Sequence, residues 1–162
     1  MNYILFDGTV RNALLPFTFT RPVADIRIGI LTIREKWETQ LGTTTTTLTE
    51  EYLQEKYPMV EMEENVMINA AFVPNKELVA LVQDLKTNQA IFAGDEVVAF
   101  FTNENQEEVD FDSYEILDFD TNCIKIEHTW DIFSKNDQAI REDFELITAD
   151  RTSQPIPKSV NV

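Results

Sequence analysis

Arginine side chains are concentrated near the start of this 162-residue chain, and anion binding is the chemistry they suit best. Four of the six arginines lie within residues 1–34, namely Arg11, Arg21, Arg27 and Arg34. With two aspartates they give this segment a net charge of +2, whereas the whole chain carries −16. A guanidinium group offers a planar fork of donors that matches the oxygens of a phosphate. The cluster therefore indicates either a solvated surface or an anion site.

The place of these arginines in the predicted fold favours the anion site. Residues 2–6 are apolar and predict a buried first strand, after which neither a helical nor a strand period holds over residues 7–28. A stretch of about twenty residues without regular structure is most often a binding loop. Three of the four arginines fall within it, just after a strand, where open α/β sheets bind their ligands.

Acids and nucleophiles elsewhere in the chain give weaker signals. Asp110 and Asp112 have a spacing that places two carboxylates on one face of a strand, as in a metal site, but a solvated strand edge is favoured in so acidic a chain. His128 is a candidate general base, although a lone histidine is more often structural. Cys123 has no base or basic cluster near it in sequence, which argues against a nucleophile.

Two polar positions near the predicted site remain open between a structural and a functional role. Asn69 ends a predicted buried strand at residues 66–69, where its amide needs hydrogen-bond partners. These partners are either a ligand or a neighbouring loop. Arg27 shares a face with Asp25 in an extended segment, and the two form either a structural ion pair or part of a substrate contact.

The remaining pattern predicts an α/β domain with a mixed, mostly parallel sheet and a late β-hairpin. Helical spacing over residues 30–41 ends at Gly42, and Asn75 caps a second helix. Strands at 90–93 and 97–101 flank the turn Gly94-Asp95, and further strands are predicted at 115–119 and 124–126. Residues 1–150 are predicted to form the domain and residues 151–162 an extended linker.

A last helix is predicted over about residues 130–144, with Phe133, Ile140 and Phe144 facing the core. Trp130 near its start is predicted to be a core residue, as is Trp37 on the first helix. Asp131 favours the start of the last helix, because a carboxylate is stabilised at a helix N-terminus.

Composition excludes several classes of protein. A charge of −16 argues against general DNA or RNA binding, and no apolar run reaches the ~20 residues that cross a bilayer. One cysteine and one histidine allow neither a Cys/His zinc site nor an internal disulfide, which fits a reducing cytoplasm. We therefore expect a cytoplasmic protein without nucleic-acid or membrane partners.

The opening segments resemble a known enzyme family. Residues 5–11, Leu-Phe-Asp-Gly-Thr-Val-Arg, and residues 16–22, Pro-Phe-Thr-Phe-Thr-Arg-Pro, resemble the glycine-rich loop and the segment after it in sugar-1-phosphate nucleotidyltransferases. Residues 66–74 resemble the strand that ends in Asn-Gly-Asp in that family. The chain resembles in particular a short, divergent branch, similar to the N-terminal domain of bifunctional N-acetylglucosamine-1-phosphate uridylyltransferase-type proteins, which carry a C-terminal left-handed β-helix.

This resemblance implies a Rossmann-like nucleotidyltransferase fold and a reaction of a nucleoside triphosphate with a sugar 1-phosphate that releases pyrophosphate. It implies that Gly8, Thr9, Arg11 and Asn69 bind the nucleotide and its phosphates, and that Arg11 and Arg21 are the catalytic cations. Mg²⁺ is the implied cofactor, and the β-helix implies an acyltransferase region and a homotrimer. On this view, replacing Arg11 with alanine removes triphosphate binding with little loss of stability.

Three positions depart from the family pattern. Gly8 stands alone where the family has two glycines, Val23 replaces a phosphate-binding lysine, and Ala71 stands where an aspartate binds Mg²⁺. Asp7 is one candidate to replace that metal ligand, and Asp131 is a weaker one. These departures keep a second hypothesis open, a catalytically degenerate module that binds a nucleotide sugar or packs on an attached β-helix.

Overall fold

The computed structural model describes residues 1–103, 109–120 and 123–157, which form an α/β structure around one six-stranded sheet. The strands are β1 (Asn2–Phe6), β2 (Thr46–Leu48), β3 (Glu64–Asn69), β4 (Gln89–Ala93), β5 (Glu96–Asn103) and β6 (Glu115–Asp118). The helices are α1 (Ile33–Leu41), α2 (Lys76–Asp84), α3 (Thr129–Ser134) and α4 (Asn136–Thr148).

The sheet has the strand order β2-β1-β3-β5-β4-β6. β1 lies between β2 and β3 and is parallel to both, and β4 is parallel to β6. β5 is antiparallel to β3 and β4 and forms the hairpin with β4. The predicted mixed, mostly parallel sheet with a late hairpin is therefore confirmed. The strand predicted at 124–126 is wrong, because Lys125 forms only an isolated bridge with Phe72.

Both edges of the sheet are short strands. β2 has three residues and β6 has four, and each pairs with one neighbour within the described chain. β6 exposes the carboxylates of Glu115 and Asp118. The longer strands β1, β3 and β5 lie inside the sheet, where neighbours on both sides satisfy their backbone groups.

The path of the chain opens a crevice between β1 and β3. From β1 the chain passes through α1 to β2 on one side, and from β3 it passes through α2 to β4 on the other. The carboxyl ends of β1 and β3 stay adjacent, with Phe6 in register with Asn69. Ligands of open α/β sheets bind at such a topological switch point.

The end of α1 at Gly42 and the start of α2 at Asn75 lie where the sequence predicts. α1 begins with a capping box, in which Thr32 Oγ1 accepts the Glu35 N–H and the Glu35 carboxylate accepts the Thr32 N–H. It ends at Gly42, whose φ of 72° is left-handed. The Asn75 side chain accepts the Leu78 N–H and starts α2. Trp37 of α1 is fully buried, as predicted.

The loop after β1 contains neither an α-helix nor a strand, as the absence of a helical or strand period in its sequence predicts. It folds into three short 3₁₀ helices, Thr9–Leu14, Phe17–Phe19 and Val23–Asp25. The fully buried side chains of Leu14 and Val23 anchor it to the core. The loop is therefore an ordered platform beside the crevice.

The last helical region differs from the sequence prediction. It consists of two helices, α3 and α4, joined at Lys135. Trp130, predicted to be a core residue, is 65% exposed, and Phe133, predicted to face inward, is 89% exposed. Ile140 and Phe144 are exposed as well, so these predictions are wrong.

A buried ion pair determines which face of α4 packs against the core. Asp143 of α4 is 2% exposed and pairs with Lys36 of α1, which is equally buried. Its Oδ2 atom also accepts the N–H groups of Ile30 and Leu31, at 2.7 and 3.1 Å. Burial lowers the pKa of Lys36, although the hydrogen bond to Asp143 opposes this. Because Asp143 must reach these partners, α4 presents it to the core and leaves Ile140 and Phe144 outside.

The end of the described chain is extended. Residues 151–157 are exposed and lie outside any helix or strand, and residues 158–162 of the predicted linker fall outside the described residues. Within the described ranges, each helix is too short or too polar to cross a membrane.

Candidate functional site

Asp7, the residue after β1, ties the first loop together. The residue is 6% exposed, and its Oδ1 atom accepts the Val23 N–H at 2.7 Å. Its Oδ2 atom lies 2.5 Å from both Arg11 Nη1 and Thr49 Oγ1. One carboxylate therefore links the start of the loop, its far end and the segment after β2.

Arg11 is buried beside Asp7, and all three of its guanidinium nitrogens face oxygen atoms of the chain. Nη1 contacts Asp7, while Nη2 donates to the Thr18 carbonyl at 2.5 Å and to the Tyr52 hydroxyl at 2.9 Å. Nε lies 3.4 Å from Glu50 Oε1. The guanidinium therefore braces the loop, and it reaches a phosphate only by giving up one of these partners.

Gly8 and Asn69 are in contact at the crevice, where β1 and β3 end. Gly8 has a φ of 62°, and a Cβ atom there would lie 3.1 Å from Asn69 Oδ1, so only glycine fits without strain. Asn69 Oδ1 accepts the Ala71 N–H at 3.0 Å. Its Nδ2 atom donates to the Val97 carbonyl at 3.1 Å and to Glu96 Oε1 at 3.3 Å. In this structure the amide is thus satisfied by a neighbouring turn and the hairpin, and its role toward a ligand stays a prediction.

Thr9 and Arg21 remain accessible. Thr9 opens the first 3₁₀ helix and is exposed, and the backbone N–H groups of Gly8 and Thr9 find no acceptor among the described residues. Arg21 is also exposed and makes neither a hydrogen bond nor an ion pair with the described part of the chain. These donors are free to meet an anion, in contrast to those of Arg11.

An open cavity of about 310 Å³ lies at the carboxyl ends of β1 and β2. The residues that line it are Phe6, Asp7, Gly8, Arg11, Leu48, Thr49, Glu50 and Glu51. Three of them are acids and one is a base that is already paired. The cavity therefore favours hydroxyl and N–H donors over phosphate groups, and it differs from the anion site that the arginine cluster predicts.

A lysine that the sequence analysis missed lies on the other side of the crevice. Lys125 Nζ is 2.5 Å from Glu96 Oε2 and 2.7 Å from Glu127 Oε1, and it lies over the ring of Phe72. Burial acts to lower the pKa of Lys125, but its hydrogen bonds to the two glutamates outweigh this and raise it. Since Glu96 also contacts Asn69, Lys125 is a fixed cation near the crevice. Its only signal in the sequence is a charged residue between two isoleucines.

The acids near the crevice do not fit a magnesium ion. Both oxygens of Asp7 are occupied by N–H and O–H donors, and Ala71 is fully buried without a side-chain oxygen. Asp131 lies at the start of α3, and within the described residues neither a hydrogen bond nor an ion pair joins it to Asp7. Asp110 and Asp112 are exposed. The described residues hold no group of three or more His, Cys, Asp or Glu arranged to bind a metal.

Asp131 caps α3 with its carboxylate. Oδ2 accepts the N–H groups of Glu127 and His128, both at 2.9 Å, and Lys135 lies 3.4 Å from Oδ1. Burial acts to raise the pKa of Asp131, but these hydrogen bonds and the lysine outweigh it and lower the pKa. The helix-start role predicted for Asp131 is confirmed.

We expect Asp131→Asn to lower the free energy of unfolding by about 1 kcal/mol at pH 7, as loss of a capping carboxylate does. Because the folded state lowers this pKa, the carboxylate stabilises the fold above about pH 4 and loses its effect as pH falls through the folded pKa. Urea unfolding at pH 7 and at pH 3 checks this, since the gap between the two proteins should narrow at pH 3. A gap of equal size at both pH values contradicts the assignment.

The ion pair that the sequence suggests between Arg27 and Asp25 is not formed. Asp25 pairs with Arg34, whose Nε atom lies 2.7 Å from Asp25 Oδ1. Arg27 is exposed, donates to the Ile30 carbonyl and lies 3.6 Å from Glu35. A structural ion pair does brace the loop, but it is made by Arg34.

These observations define an α/β protein with a crevice at the switch point of its sheet, where the first loop meets the end of β3. A family model described as sugar nucleotidyl transferase matches residues 3–152. The match spans nearly the whole chain, so the protein belongs to the sugar nucleotidyl transferase family and has its Rossmann-like nucleotidyltransferase fold. Comparison with curated proteins finds no match.

Proposed function

We propose that the protein transfers a nucleotide from a nucleoside triphosphate to a sugar 1-phosphate and releases pyrophosphate. The observation that carries this proposal is the family match over residues 3–152, which includes the Gly8 loop at the switch point. In such a transfer the sugar phosphate attacks the α-phosphorus, and negative charge spreads over the phosphate oxygens. Positioning and fixed cations then supply most of the rate enhancement.

The phosphates are assigned to the exposed N–H groups at the start of the first loop, beside Gly8 and not between Gly8 and Asn69, which pack too closely to admit a phosphate. The free N–H groups of Gly8 and Thr9 can donate to phosphate oxygens, and glycine allows their close approach. Arg21 lies two residues before Val23, which is bound to Asp7, so it is held near the start of the same loop. Arg21 supplies positive charge that an otherwise acidic molecule lacks, whereas the charge of Lys125 is already balanced by Glu96 and Glu127.

The uncharged end of a substrate is assigned to the cavity beside β2. Glu50 and Glu51 offer oxygens that accept hydrogen bonds from sugar hydroxyls or from N–H groups of a base. Phe6 and Leu48 provide an apolar wall for a ring. Phosphate is disfavoured beside Glu50 and Glu51, so the phosphates are assigned to the free N–H group of Gly8, which also lines this cavity.

A specific observation supports a second candidate, a degenerate module that binds a nucleotide sugar without converting it or packs on an attached β-helix acyltransferase. Arg11 is engaged at every guanidinium nitrogen, and Ala71 supplies no ligand for Mg²⁺. Binding needs only the free backbone donors and the exposed arginine, whereas catalysis also needs stabilisation of the charge on the leaving pyrophosphate.

An assay of pyrophosphate release separates the two candidates. The protein is mixed with each of the four common nucleoside triphosphates and a panel of hexose and hexosamine 1-phosphates in a buffer containing MgCl₂. Release that requires both substrates supports the transferase. No release, together with nucleotide-sugar binding in calorimetry, supports the module. If neither release nor binding is found, the transferase and the nucleotide-sugar-binding module are both overturned, and only packing on a β-helix is left.

Arg21→Ala tests the phosphate assignment. A charged hydrogen bond to phosphate is worth about 1.5–3 kcal/mol, so we expect roughly tenfold or greater weakening of nucleoside triphosphate binding, measured by calorimetry. Because Arg21 is exposed and without a partner in the described chain, its loss should leave the thermal midpoint unchanged. Arg151→Ala removes an exposed arginine from the C-terminal segment and serves as the control. Equal affinities for both variants would remove Arg21 from the site.

The cellular location and the oligomeric state are part of the same proposal. A cytoplasmic location agrees with the single cysteine, which forms no disulfide within the chain. A homotrimer through a left-handed β-helix follows only from the resemblance and is tested by the mass of the natural full-length protein in solution.

A further inference from the structure

Another cavity, of about 300 Å³, lies between α1, α4 and the turn at residues 70–75 that leads from β3 into α2. It is more enclosed than the cavity beside β2 and shares no lining residue with it. Its volume falls at the lower end of the roughly 300–1,000 Å³ that is usual for small-molecule sites. The cavity therefore has room for one small molecule, and the proposed transfer reaction gives it no role.

Apolar side chains form most of the wall of this cavity. Val73 and Pro74, both buried, come from the turn, and the half-buried Leu146 comes from α4. The Pro74 carbonyl is fixed against α1, because it accepts the side-chain N–H of Gln40 at 3.1 Å. An aliphatic group that enters the cavity leaves water for a preformed apolar surface, which favours its binding.

Lys36 brings an incompletely satisfied ammonium group to the cavity. It lines the cavity and is only 2% exposed. An ammonium group carries three N–H donors, but among the described residues Lys36 Nζ has a single acceptor, Asp143 Oδ1. The other oxygen of Asp143 already accepts two backbone N–H groups. Because buried polar groups normally have hydrogen-bond partners, the two remaining donors of Lys36 require oxygen atoms from an occupant of the cavity, either water or a ligand.

Charges of both signs surround this ammonium group. Besides the neutral pair of Lys36 and Asp143, three exposed charged residues line the cavity, namely Glu142, Glu145 and Lys76. None of the three forms an ion pair with the described part of the chain. The Glu142 carboxylate is close enough to Lys36 to act on its pKa, which it raises whereas burial lowers it. The cavity thus offers an acid and a cation near each other, beside an apolar wall.

We propose that this cavity binds a free α-amino acid with an aliphatic side chain, for which L-leucine is the probe. The carboxylate of the amino acid accepts hydrogen bonds from the two remaining donors of Lys36, and its ammonium group pairs with Glu142. Its side chain packs against Val73, Pro74 and Leu146. One molecule thus meets the cation, the acid and the apolar wall of the cavity.

The charges of the cavity favour a zwitterion over simpler ligands. A plain carboxylate would be repelled by Glu142 and Glu145, and a plain amine would leave the donors of Lys36 without acceptors. A zwitterion carries both groups and no net charge, so the overall charge of −16 on the chain does not repel it.

Calorimetry of the whole chain with L-leucine and two of its analogues tests the proposal. Isocaproate lacks the ammonium group and isoamylamine lacks the carboxylate, while both keep the aliphatic side chain. We expect L-leucine to bind at millimolar or lower concentration and each analogue to bind at least about tenfold more weakly, because each loses a charge-assisted contact. No binding of L-leucine, which is the result if water alone fills the cavity, or equal binding of either analogue would overturn the proposal.

Glu142→Gln tests the contact to the ammonium group. It should weaken the binding of L-leucine about tenfold but not that of isocaproate, because only L-leucine has the group that Glu142 contacts. The thermal midpoint should not change, since Glu142 is exposed. Glu63→Gln removes an exposed acid that does not line the cavity and should leave both affinities unchanged. Equal weakening by the two variants would contradict the proposal.

Methyl NMR locates the bound L-leucine. The methyl signals of Val73 and Leu146 should shift during the titration, whereas those of Leu5 and Val98, buried in the sheet, should not. Leu48 lines the cavity beside β2. Shifts at Leu48 in place of those at Val73 and Leu146 would assign L-leucine to the proposed transfer site and overturn the inference.

Discussion

Gly29→Ala should destabilise the fold by about 3 kcal/mol, through left-handed backbone strain together with overpacking. Gly29 has a φ of 77°, and a Cβ atom there would lie 2.5 Å from Asp143 Oδ2 and 2.8 Å from the carbonyl carbon of Ala139. Neither neighbour can move freely, because Asp143 is paired with Lys36 and Ala139 is helical backbone. Equilibrium urea unfolding measures the loss.

Gly42→Ala is the matched control for Gly29→Ala. Gly42 has a similar φ of 72°, but a Cβ atom there would meet no heavy atom within 4 Å. It should therefore cost only about 1 kcal/mol, the conformational part alone. Equal losses for the two variants would show that backbone conformation, and not the close approach of α4, makes Gly29 necessary.

Arg11→Ala should lower the free energy of unfolding by about 3 kcal/mol, because it leaves the buried carboxylate of Asp7 without its ion-pair partner. This expectation differs from the one drawn from the sequence, which assigns Arg11 to triphosphate and expects little loss of stability. The difference arises because Arg11 is only 7% exposed and holds the Thr18 carbonyl and the Tyr52 hydroxyl as well. Urea unfolding without nucleotide isolates the structural effect.

Comparing Arg11→Ala with Arg21→Ala distinguishes a residue that stabilises the first loop from one that binds the nucleotide. Arg11→Ala is expected to lose stability and, as a consequence, nucleotide affinity, whereas Arg21→Ala is expected to lose affinity alone. If the Arg11→Ala protein unfolds like the wild type but no longer binds nucleotide, Arg11 is a phosphate-binding residue, as the sequence predicts. Such a result would also show that the contact to Asp7 is weak in solution.

Local signals in the sequence predict much of this fold. The end of α1 at Gly42, the cap of α2 at Asn75 and the hairpin turn at Gly94 all depend on residues a few positions apart. The inner face of α4 could not be predicted in this way. It is set by the pairing of Asp143 with Lys36, 107 residues away, and a buried aspartate resembles a surface residue until its partner is known.

In the candidate site, too, the contacts between residues close in sequence could be predicted, and the contacts between distant residues could not. The sequence places Asp7, Gly8 and Arg11 on one loop at the end of a strand, and the structure agrees. It gives no sign that Thr49 and Tyr52 complete the surroundings of Arg11, because they follow a different strand. Lys125 is brought to the crevice only by its bridge to Phe72 and its contact with Glu96.

The short edge strands affect how this protein behaves when it is concentrated. A long, apolar sheet edge offers its free backbone groups as a template on which other chains add strands, and this is how fibrils begin. Here one edge offers three residues and the other four, and the second carries the carboxylates of Glu115 and Asp118. We therefore expect crowded solutions to remain clear of amyloid-like deposits, with neighbouring molecules meeting through side chains.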